Sequence, residues 1–198
     1  MKRIVIAGGI GSGKSAVCAY LAAQGFAIVD ADLIAREITT KGSPAWQALR
    51  DAFGDAILDD DGSLDRAFLA EIVFHDPSAL RRLNTITHAQ IGAEMLRQLG
   101  SAVGEVVFVA IPLYRPETRA PLRVDEVWAL AVEPATAVRR LCEGRGFSED
   151  DARARLATQM SNEERAAIAD RVLWNEGSLD ELYAQVDLAL EQLGVTRG

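Results

Sequence analysis

The segment AGGIGSGKSA, residues 7 to 16, combines four glycines with one lysine directly after the apolar run Ile4–Ala7. Residues 8 to 15 have the spacing Gly-x-x-x-x-Gly-Lys-Ser, which in proteins follows a strand, opens a helix and surrounds a phosphate group. The backbone N–H groups of such a turn converge on an anion, and the helix end adds roughly half a positive charge. The segment therefore predicts a site for a nucleoside triphosphate.

Individual residues of this glycine loop have distinct expected roles. Lys14 is expected to contact the β- and γ-phosphates of ATP, and the Ser15 hydroxyl to complete the coordination of Mg²⁺. Nucleotide contacts are also expected from the rest of the loop and the first helical turn: Gly9, Ile10, Gly11, Ser12, Gly13 and Ala16. A tight glycine turn without a ligand is the alternative, but the strand, the spacing, the lysine and the serine together favour nucleotide binding.

A second motif, FAIVDADLIAR at residues 26 to 36, reads as a strand that ends in two aspartates one residue apart. Ligands of open α/β sheets bind outside the carboxyl ends of the strands, so Asp30 and Asp32 are expected beside the glycine loop. Asp30 is expected to end the strand and Asp32 to open the next helix. Asp32 can serve as a helix N-cap, as a catalytic carboxylate, or as both.

Composition and charge exclude several classes of protein. The chain has 198 residues, of which 49% are hydrophobic and 25% charged, and this is typical of a soluble globular domain with or without an insertion. A net charge of -8 argues against general nucleic-acid binding, which relies on clustered Lys and Arg. The sequence shows no secretory signal and no apolar stretch of about 18 residues, so a cytoplasmic protein without membrane contact is expected. Cys18 and Cys142 lack the paired spacing of zinc sites or disulfide frameworks and are expected to be free thiols.

Apolar runs and helical patterns alternate along the chain. Five runs predict buried strands: Ile4–Ala7, Phe26–Val29, Val106–Ile111, Val127–Val132 and Arg171–Trp174. A first helix is expected over residues 13 to 24, and further helices are expected to start at Ser43, Asp76, Ser148, Ser161 and Ser178. This alternation predicts an α/β three-layer sandwich with a five-stranded parallel sheet. The helical pattern of residues 33–104 is too long for a simple crossover and predicts an inserted helical subdomain.

Other nucleotide-binding classes fit the sequence less well. Asp59-x-x-Gly62 superficially matches a metal-binding loop of GTPases, but it follows no apolar strand, and no Asn-Lys-x-Asp motif is present to read guanine. Motor and helicase ATPases need an acid at the end of a strand. The third predicted strand, VVFVAIP, has none.

With these motifs in order, the sequence resembles the dephospho-coenzyme A kinase family. The similarity includes GGIGSGKS, VDADLIAR, DGSLDR, LNTITH, IPL, DEVWAL, SEDDARARLATQ and ADRVLWNEGSLDEL, and it extends to about Leu193. It implies a P-loop kinase that uses ATP and Mg²⁺ to phosphorylate the ribose 3′-hydroxyl of dephospho-coenzyme A. It also implies a nucleotide-binding core of residues 1–32, 105–138 and 161–198, a substrate-binding insertion of residues 33–104 and a lid of residues 139–160.

The resemblance also implies roles for residues outside the glycine loop. Asp32 corresponds to the family's proposed catalytic carboxylate, and Arg36 and His88 to residues near the acceptor substrate. A solvated helix arginine is the alternative for Arg36, and a purely structural role is the alternative for His88.

On the nucleotide side, the resemblance implies that lid residues contact the phosphates. We expect Arg140 and Arg145 to make these contacts. Asn175 corresponds to a family asparagine beside the adenine pocket, with a turn residue as the alternative. Arg153 and Arg155 are expected to form ion pairs with Glu on a helix surface.

The sequence departs from the family pattern at several positions. Ala110 stands where the family usually has an acid before its PLL segment, and the segment PLYRPE changes a second acid. Ala89 replaces the usual proline after the histidine, and Trp174 replaces the common aspartate before Asn175. These changes leave open a kinase of another nucleoside or small alcohol, or a nucleotide-binding regulator that no longer catalyses. The oligomeric state is not predicted.

Overall fold

The computed structural model describes residues 1–195 of the chain. It divides into two compact units. The first consists of Met1–Asp30 together with the chain from Ser101 onward, and the second consists of Ala31–Gly100. The substrate-binding role of residues 33–104 and the lid role of residues 139–160 stay predictions.

The first unit is built on five parallel strands in the order β2-β3-β1-β4-β5. The strands are β1 (Lys2–Gly8), β2 (Ala27–Asp30), β3 (Val106–Ile111), β4 (Glu126–Ala131) and β5 (Arg171–Trp174). The predicted three-layer α/β fold with a five-stranded parallel sheet is confirmed. β2 is shifted by one residue from its predicted position, and β4 ends one residue before Val132.

β1 lies in the middle of the sheet, and this position explains its apolar sequence. Ile6 of β1 pairs with Ala110 on β3 and with Trp128 on β4. Strands of a parallel sheet that carries helices on both faces read as continuous apolar runs, because both sets of side chains are buried. The carboxyl end of β1, where the glycine loop begins, therefore emerges from the centre of the core.

The helices around this sheet are α1 (Lys14–Ala23), α6 (Arg119–Leu122), α7 (Pro134–Arg145), α8 (Glu149–Ala157), α9 (Asn162–Ala167) and α10 (Leu179–Gln192). Of these, α1, α8, α9 and α10 begin where the sequence predicts them, whereas α6 and α7 were not predicted. Ser148, Ser161 and Ser178 accept the N-cap hydrogen bonds of α8, α9 and α10, the last two within complete capping boxes.

Aromatic side chains fill the centre of the sheet's core. Trp128 is fully buried, its ring centroid lies 5.5 Å from that of Phe108, and Phe108 meets Phe26 edge-on at 5.4 Å. Leu21 of α1 and Leu182 of α10 pack in the same cluster. Apolar burial of this kind is the main favourable term in folding, and it fixes the helix starts against the sheet.

The second unit is helical. It contains α2 (Ala31–Ile38), α3 (Pro44–Phe53), α4 (Arg66–His75) and most of α5 (Pro77–Ser101). Its core includes Trp46, Leu49 and Ile57. The acidic stretch at residues 59 to 62 is a turn, as predicted: the Gly62 N–H donates to the Asp59 carbonyl at 2.8 Å, between bridge partners Leu58 and Leu64.

In the part of the chain that the structure describes, none of the helices has the length and apolar character needed to cross a membrane.

The two tryptophans of the sheet provide a test of this core. We expect Trp128→Ala to lower the free energy of unfolding by about 3–5 kcal/mol, because it removes a fully buried side chain and leaves a cavity. Trp174→Ala is the control, since that side chain is 46% exposed at the end of β5, and we expect it to cost about 1 kcal/mol or less. Urea unfolding measures both values. Equal losses would contradict this assignment of the core.

Candidate functional site

The glycine loop connects β1 directly to α1. Gly8 ends the strand, Lys14 begins the helix, and Gly13 is the N-cap with φ +92°. Gly11 also has a left-handed φ of +78°, and the Ser12 N–H closes the turn on the Gly9 carbonyl at 3.2 Å. Glycine adopts this backbone without strain, whereas residues with a Cβ rarely do. The loop therefore has the compact form that presents successive N–H groups to an anion.

Asn175 and Arg140, both predicted site residues, lie together behind this loop. The buried Asn175 side chain donates from Nδ2 to the Ser12 carbonyl at 2.9 Å. Arg140 donates from Nη1 to the Asn175 carbonyl at 2.9 Å and from Nη2 to Asn175 Oδ1 at 3.2 Å. A Cβ on Gly13 would lie 2.2 Å from Asn175 Nδ2. The contacts of Asn175 thus support the backbone of the loop, and its adenine role stays a prediction.

A cavity of about 580 Å³ adjoins the outer side of the loop. Gly9, Ile10 and Ser12 form one wall, and the end of β4 together with the start of α7 forms another. The remaining wall comes from the second half of α8, the connection after it, and α9 up to Arg165. All of these segments belong to the unit that contains the sheet.

Ser12 has a buried hydroxyl in the middle of the loop. Among residues 1–195, this hydroxyl has no hydrogen-bond partner. It lies against Gly8, where a Cβ would be only 2.4 Å from Ser12 Oγ, so the close approach requires glycine at position 8. The left-handed glycines agree with a phosphate-binding loop.

Gln159 and Arg165 are two cavity residues that the sequence reasoning missed. Gln159 Oε1 accepts a hydrogen bond from the Ile10 N–H at 2.9 Å. A Cβ on Gly9 would lie 2.7 Å from Gln159 Oε1 and 3.0 Å from Arg165 Nη2, so both side chains approach the loop closely. The available signal was one cation directly after the capping box Ser161-x-x-Glu164, which we interpreted only as a helix start.

Arg165 is a buried guanidinium. Only 8% of the residue is exposed, and burial lowers its pKa while the nearby Glu164 raises it. Its hydrogen bonds go to the Met160 carbonyl at 2.9 Å and to Asn162 Oδ1 at 3.4 Å. Within residues 1–195 it forms no salt bridge. The cavity therefore has a cation in its wall whose charge is not neutralised by a paired carboxylate.

The first turn of α1 contains Lys14 and Ser15, with Lys14 half-buried and Ser15 exposed. Both residues begin the helix that follows the loop, as a phosphate-binding lysine and a magnesium-binding serine require. Cys18, one turn further, is buried and free, and Cys142 is free as well, as predicted. Burial raises the pKa of Cys18 to about 11, against a lowering by Lys14, and Asp30 raises it further. Cys18 is thus a neutral core thiol at neutral pH and does not act as a nucleophile.

Near the end of β3, the sheet has Ala110 at the position where the family usually has an acid. Ala110 is fully buried and pairs in register with Ile6 on one side and Asp30 on the other. Asp30, the last residue of β2, is therefore the carboxylate beside this position. After β3, Leu113 is exposed whereas Tyr114 is buried, and burial raises the pKa of the Tyr114 phenol.

In the helical unit, Asp32 and Arg36 lie one turn apart on α2. The interpretation of Asp32 as an N-cap is wrong, because α2 begins at Ala31 directly after β2 and Asp32 lies inside its first turn. There the helix dipole stabilises a carboxylate. His88 is exposed on α5, and no hydrogen bond joins it to Arg36 among the described residues.

Arg66 fastens the carboxyl end of α2 in the same unit. It donates from Nη2 to the Arg36 carbonyl at 3.2 Å and to the Thr39 hydroxyl at 2.8 Å. Burial lowers the pKa of Arg66, and the like charge of Arg36 lowers it further. Two arginines thus lie close together in this unit.

The other predicted lid arginines lie on helix surfaces. Arg145 is exposed at the end of α7 and does not line the cavity. Arg153 lines the cavity and pairs with Glu149 at 2.6 Å, as predicted for a surface ion pair. The expected ion pair of Arg155 is wrong, because its guanidinium lies over the Phe147 ring at 4.8 Å.

No group of three or more His, Cys, Asp or Glu side chains in the described residues could hold a metal ion. Mg²⁺ needs little from the protein in kinases, since it keeps several waters and binds substrate phosphates. The Ser15 hydroxyl at the start of α1 is a suitable protein ligand for such a site.

Comparisons with known proteins agree with this geometry. The sequence profile described as dephospho-CoA kinase matches residues 3–181. The dephospho-CoA kinase of Thermosynechococcus vestitus is 42% identical over 193 residues, which cover 97% of this chain and 95% of that relative. The crystal structure of TT1252 from Thermus thermophilus has a TM-score of 0.81 and 31% identity, with 97% of each chain covered. The dephospho-CoA kinase from Campylobacter jejuni has a TM-score of 0.67 and 25% identity, with 98% of each chain covered. This chain therefore belongs to the dephospho-CoA kinase family.

Proposed function

We propose that this protein transfers the γ-phosphoryl group of ATP to the ribose 3′-hydroxyl of dephospho-coenzyme A, giving coenzyme A and ADP. The observation that carries the proposal is the complete glycine loop, with its left-handed glycines, in a chain that the family profile matches over residues 3–181. The cytoplasmic location expected from the sequence is part of this proposal.

Phosphate binding is the task of the loop and of α1. The N–H groups of residues 9 to 16 surround the β-phosphate at the positive end of the helix, and the Lys14 ammonium neutralises the β- and γ-oxygens. Mg²⁺, held by Ser15, supplies further neutralisation of the phosphate charge when it is bound. Arg140 and Arg145 are the proposed further phosphate contacts, and Asn175 the adenine contact.

Acceptor activation is the proposed role of Asp32. As the 3′-oxygen forms its bond to the γ-phosphorus, the bond from that phosphorus to the β,γ-bridging oxygen breaks and ADP leaves. The Asp32 carboxylate orients the hydroxyl and accepts its proton, which then passes to solvent. Arg36 and His88 are the proposed contacts to the substrate's phosphate or ribose, within the proposed acceptor-binding insertion of residues 33–104.

A different acceptor is the second candidate, and the end of β3 favours it. Ala110 lacks the carboxylate usual in the family, and the loop after it exposes Leu113. A panel of nucleosides and small alcohols identifies such an acceptor. ATP binding without transfer to any member of the panel would instead indicate a regulator.

Lys14 provides a test of phosphate binding. We expect Lys14→Ala to lower the turnover number with ATP and dephospho-coenzyme A about 100-fold or more, because the transferred phosphoryl group loses its compensating charge. ADP release, coupled to NADH oxidation, measures this rate. Lys2→Ala is the control, because Lys2 is exposed and its Nζ donates to the Leu193 carbonyl at 3.2 Å; we expect this variant to leave turnover unchanged. Similar rates for Lys14→Ala and Lys2→Ala would contradict the role of Lys14.

A substitution of Asp32 separates acceptor activation from ATP binding. We expect Asp32→Asn to lower turnover about 100-fold or more while the dissociation constant for ATP stays within about twofold, because an amide accepts no proton. Asp51→Asn, at an exposed position on α3 of the same unit, is the matched control. Stopped assays of coenzyme A formation and calorimetric ATP titrations measure the two quantities. Full turnover of Asp32→Asn would exclude this carboxylate as the base.

A further inference from the structure

We infer that Arg165 is a further catalytic residue, whose guanidinium contacts the γ-phosphoryl group of ATP while that group is transferred. The inference rests on the proposed function in so far as ATP is the phosphoryl donor. It does not depend on the identity of the acceptor.

Position is the first argument. Arg165 Nη2 lies 3.0 Å from the point where a Cβ on Gly9 would stand, and Gly9 with Ile10 forms the edge of the loop opposite the helix start. The backbone and the lysine of such a loop together cradle the β- and γ-phosphates. The guanidinium therefore lies directly beside a segment of the loop that binds these phosphates.

Charge is the second argument. A guanidinium stays protonated even where burial lowers its pKa, and a buried charge without a counter-ion is costly. The carboxylates of Glu133, Glu163 and Glu164 line the same cavity, but none lies within salt-bridge distance of Arg165 in the described chain, and Glu164 bonds to the Ser161 N–H at 2.7 Å. An anionic ligand would offset this cost.

The available donors are the third argument. The guanidinium has five N–H donors, and two hydrogen bonds account for its contacts with Met160 and Asn162. These two hydrogen bonds hold the guanidinium against the start of α9 and the chain just before it. The remaining donors match phosphoryl oxygens, which Arg binds in a fork geometry.

An arginine beside the γ-phosphate can accelerate phosphoryl transfer. Phosphoryl transfer spreads negative charge over three equatorial oxygens, and an arginine supplied to these oxygens accelerates the reaction by about 10³–10⁵ in other phosphoryl-transfer enzymes. Gln159 lies beside Arg165 and binds the Ile10 N–H, so the same connection positions both the loop and the cation. Arg165 is thus placed to act in cis.

The test compares Arg165 with an arginine outside the cavity. Arg165→Met removes the charge and retains most of the volume, and it should lower turnover by about 100-fold or more. Arg119→Met is the matched control, because Arg119 lies on α6 outside the cavity lining and pairs with Asp170 at 3.0 Å on the surface; it should stay within about threefold of wild type. Equal rates for the two variants would overturn the inference.

Ligand affinities separate catalysis from folding. Calorimetry with ADP, and with ADP plus aluminium fluoride as a mimic of the transferred phosphoryl group, should show that Arg165→Met weakens only the second complex by about 100-fold or more. An equal loss for both ligands would indicate a structural role and overturn the inference.

The failure of the proposed function has a different signature. Wild-type protein that binds ADP–aluminium fluoride but forms no coenzyme A would contradict the acceptor and not Arg165. In that case, the affinities of wild type and Arg165→Met for ADP and for ADP–aluminium fluoride alone test the role of Arg165. Full coenzyme A synthesis together with unchanged affinities in Arg165→Met would contradict Arg165 and leave the proposed function intact.

Discussion

The structure depends on one constraint, the sharp turn of the backbone from the central strand into α1. Gly11 and Gly13 have left-handed dihedral angles there, and Gly13 lies so close to the Asn175 amide that a Cβ would reach within 2.2 Å of it. A side chain at Gly13 would therefore strain the backbone and displace its support. Because of this geometry, several backbone N–H dipoles and the N-terminus of α1 lie close together. A polyanion can then bind to a protein whose net charge is -8.

The parallel sheet explains why distant segments meet at this turn. All five strands point their carboxyl ends the same way, so the residues that follow β1, β4 and β5 reach one edge. Asn175 follows β5 and supports the loop from one side, whereas Val132 follows β4 and lines the cavity. Arg140 joins the first group through two bonds to Asn175. The support of the glycine loop and the cavity beside it thus both result from the parallel direction of the strands.

Local sequence patterns predicted the elements well because each pattern has a local physical cause. Apolar runs became buried strands, and serines such as Ser161 and Ser178 became N-caps through bonds within four residues. The interpretation of Asp32 as a cap was wrong because α2 follows β2 without a linking residue, which no periodicity reveals. Gln159 and Arg165 were missed for another reason. Their proximity to Gly9 is created by chain folding over about 150 positions. Gln159 ends the segment SEDDARARLATQ and Arg165 follows a capping box, but neither local pattern indicates a contact with the glycine loop.

The alanine at the end of β3 has an electrostatic consequence that follows from the register of the sheet. Ala110 pairs with Asp30, and neighbouring strands lie about 4.8 Å apart, so an acid at position 110 would place a second carboxylate beside Asp30. Two carboxylates at that distance repel each other and raise the pKa of one of them. With alanine there, Asp30 has no like-charged neighbour at this register position on β3. The substitution therefore reduces the negative charge at the edge of the sheet where a triphosphate must bind, and it leaves the pairing of β3 with both neighbouring strands intact.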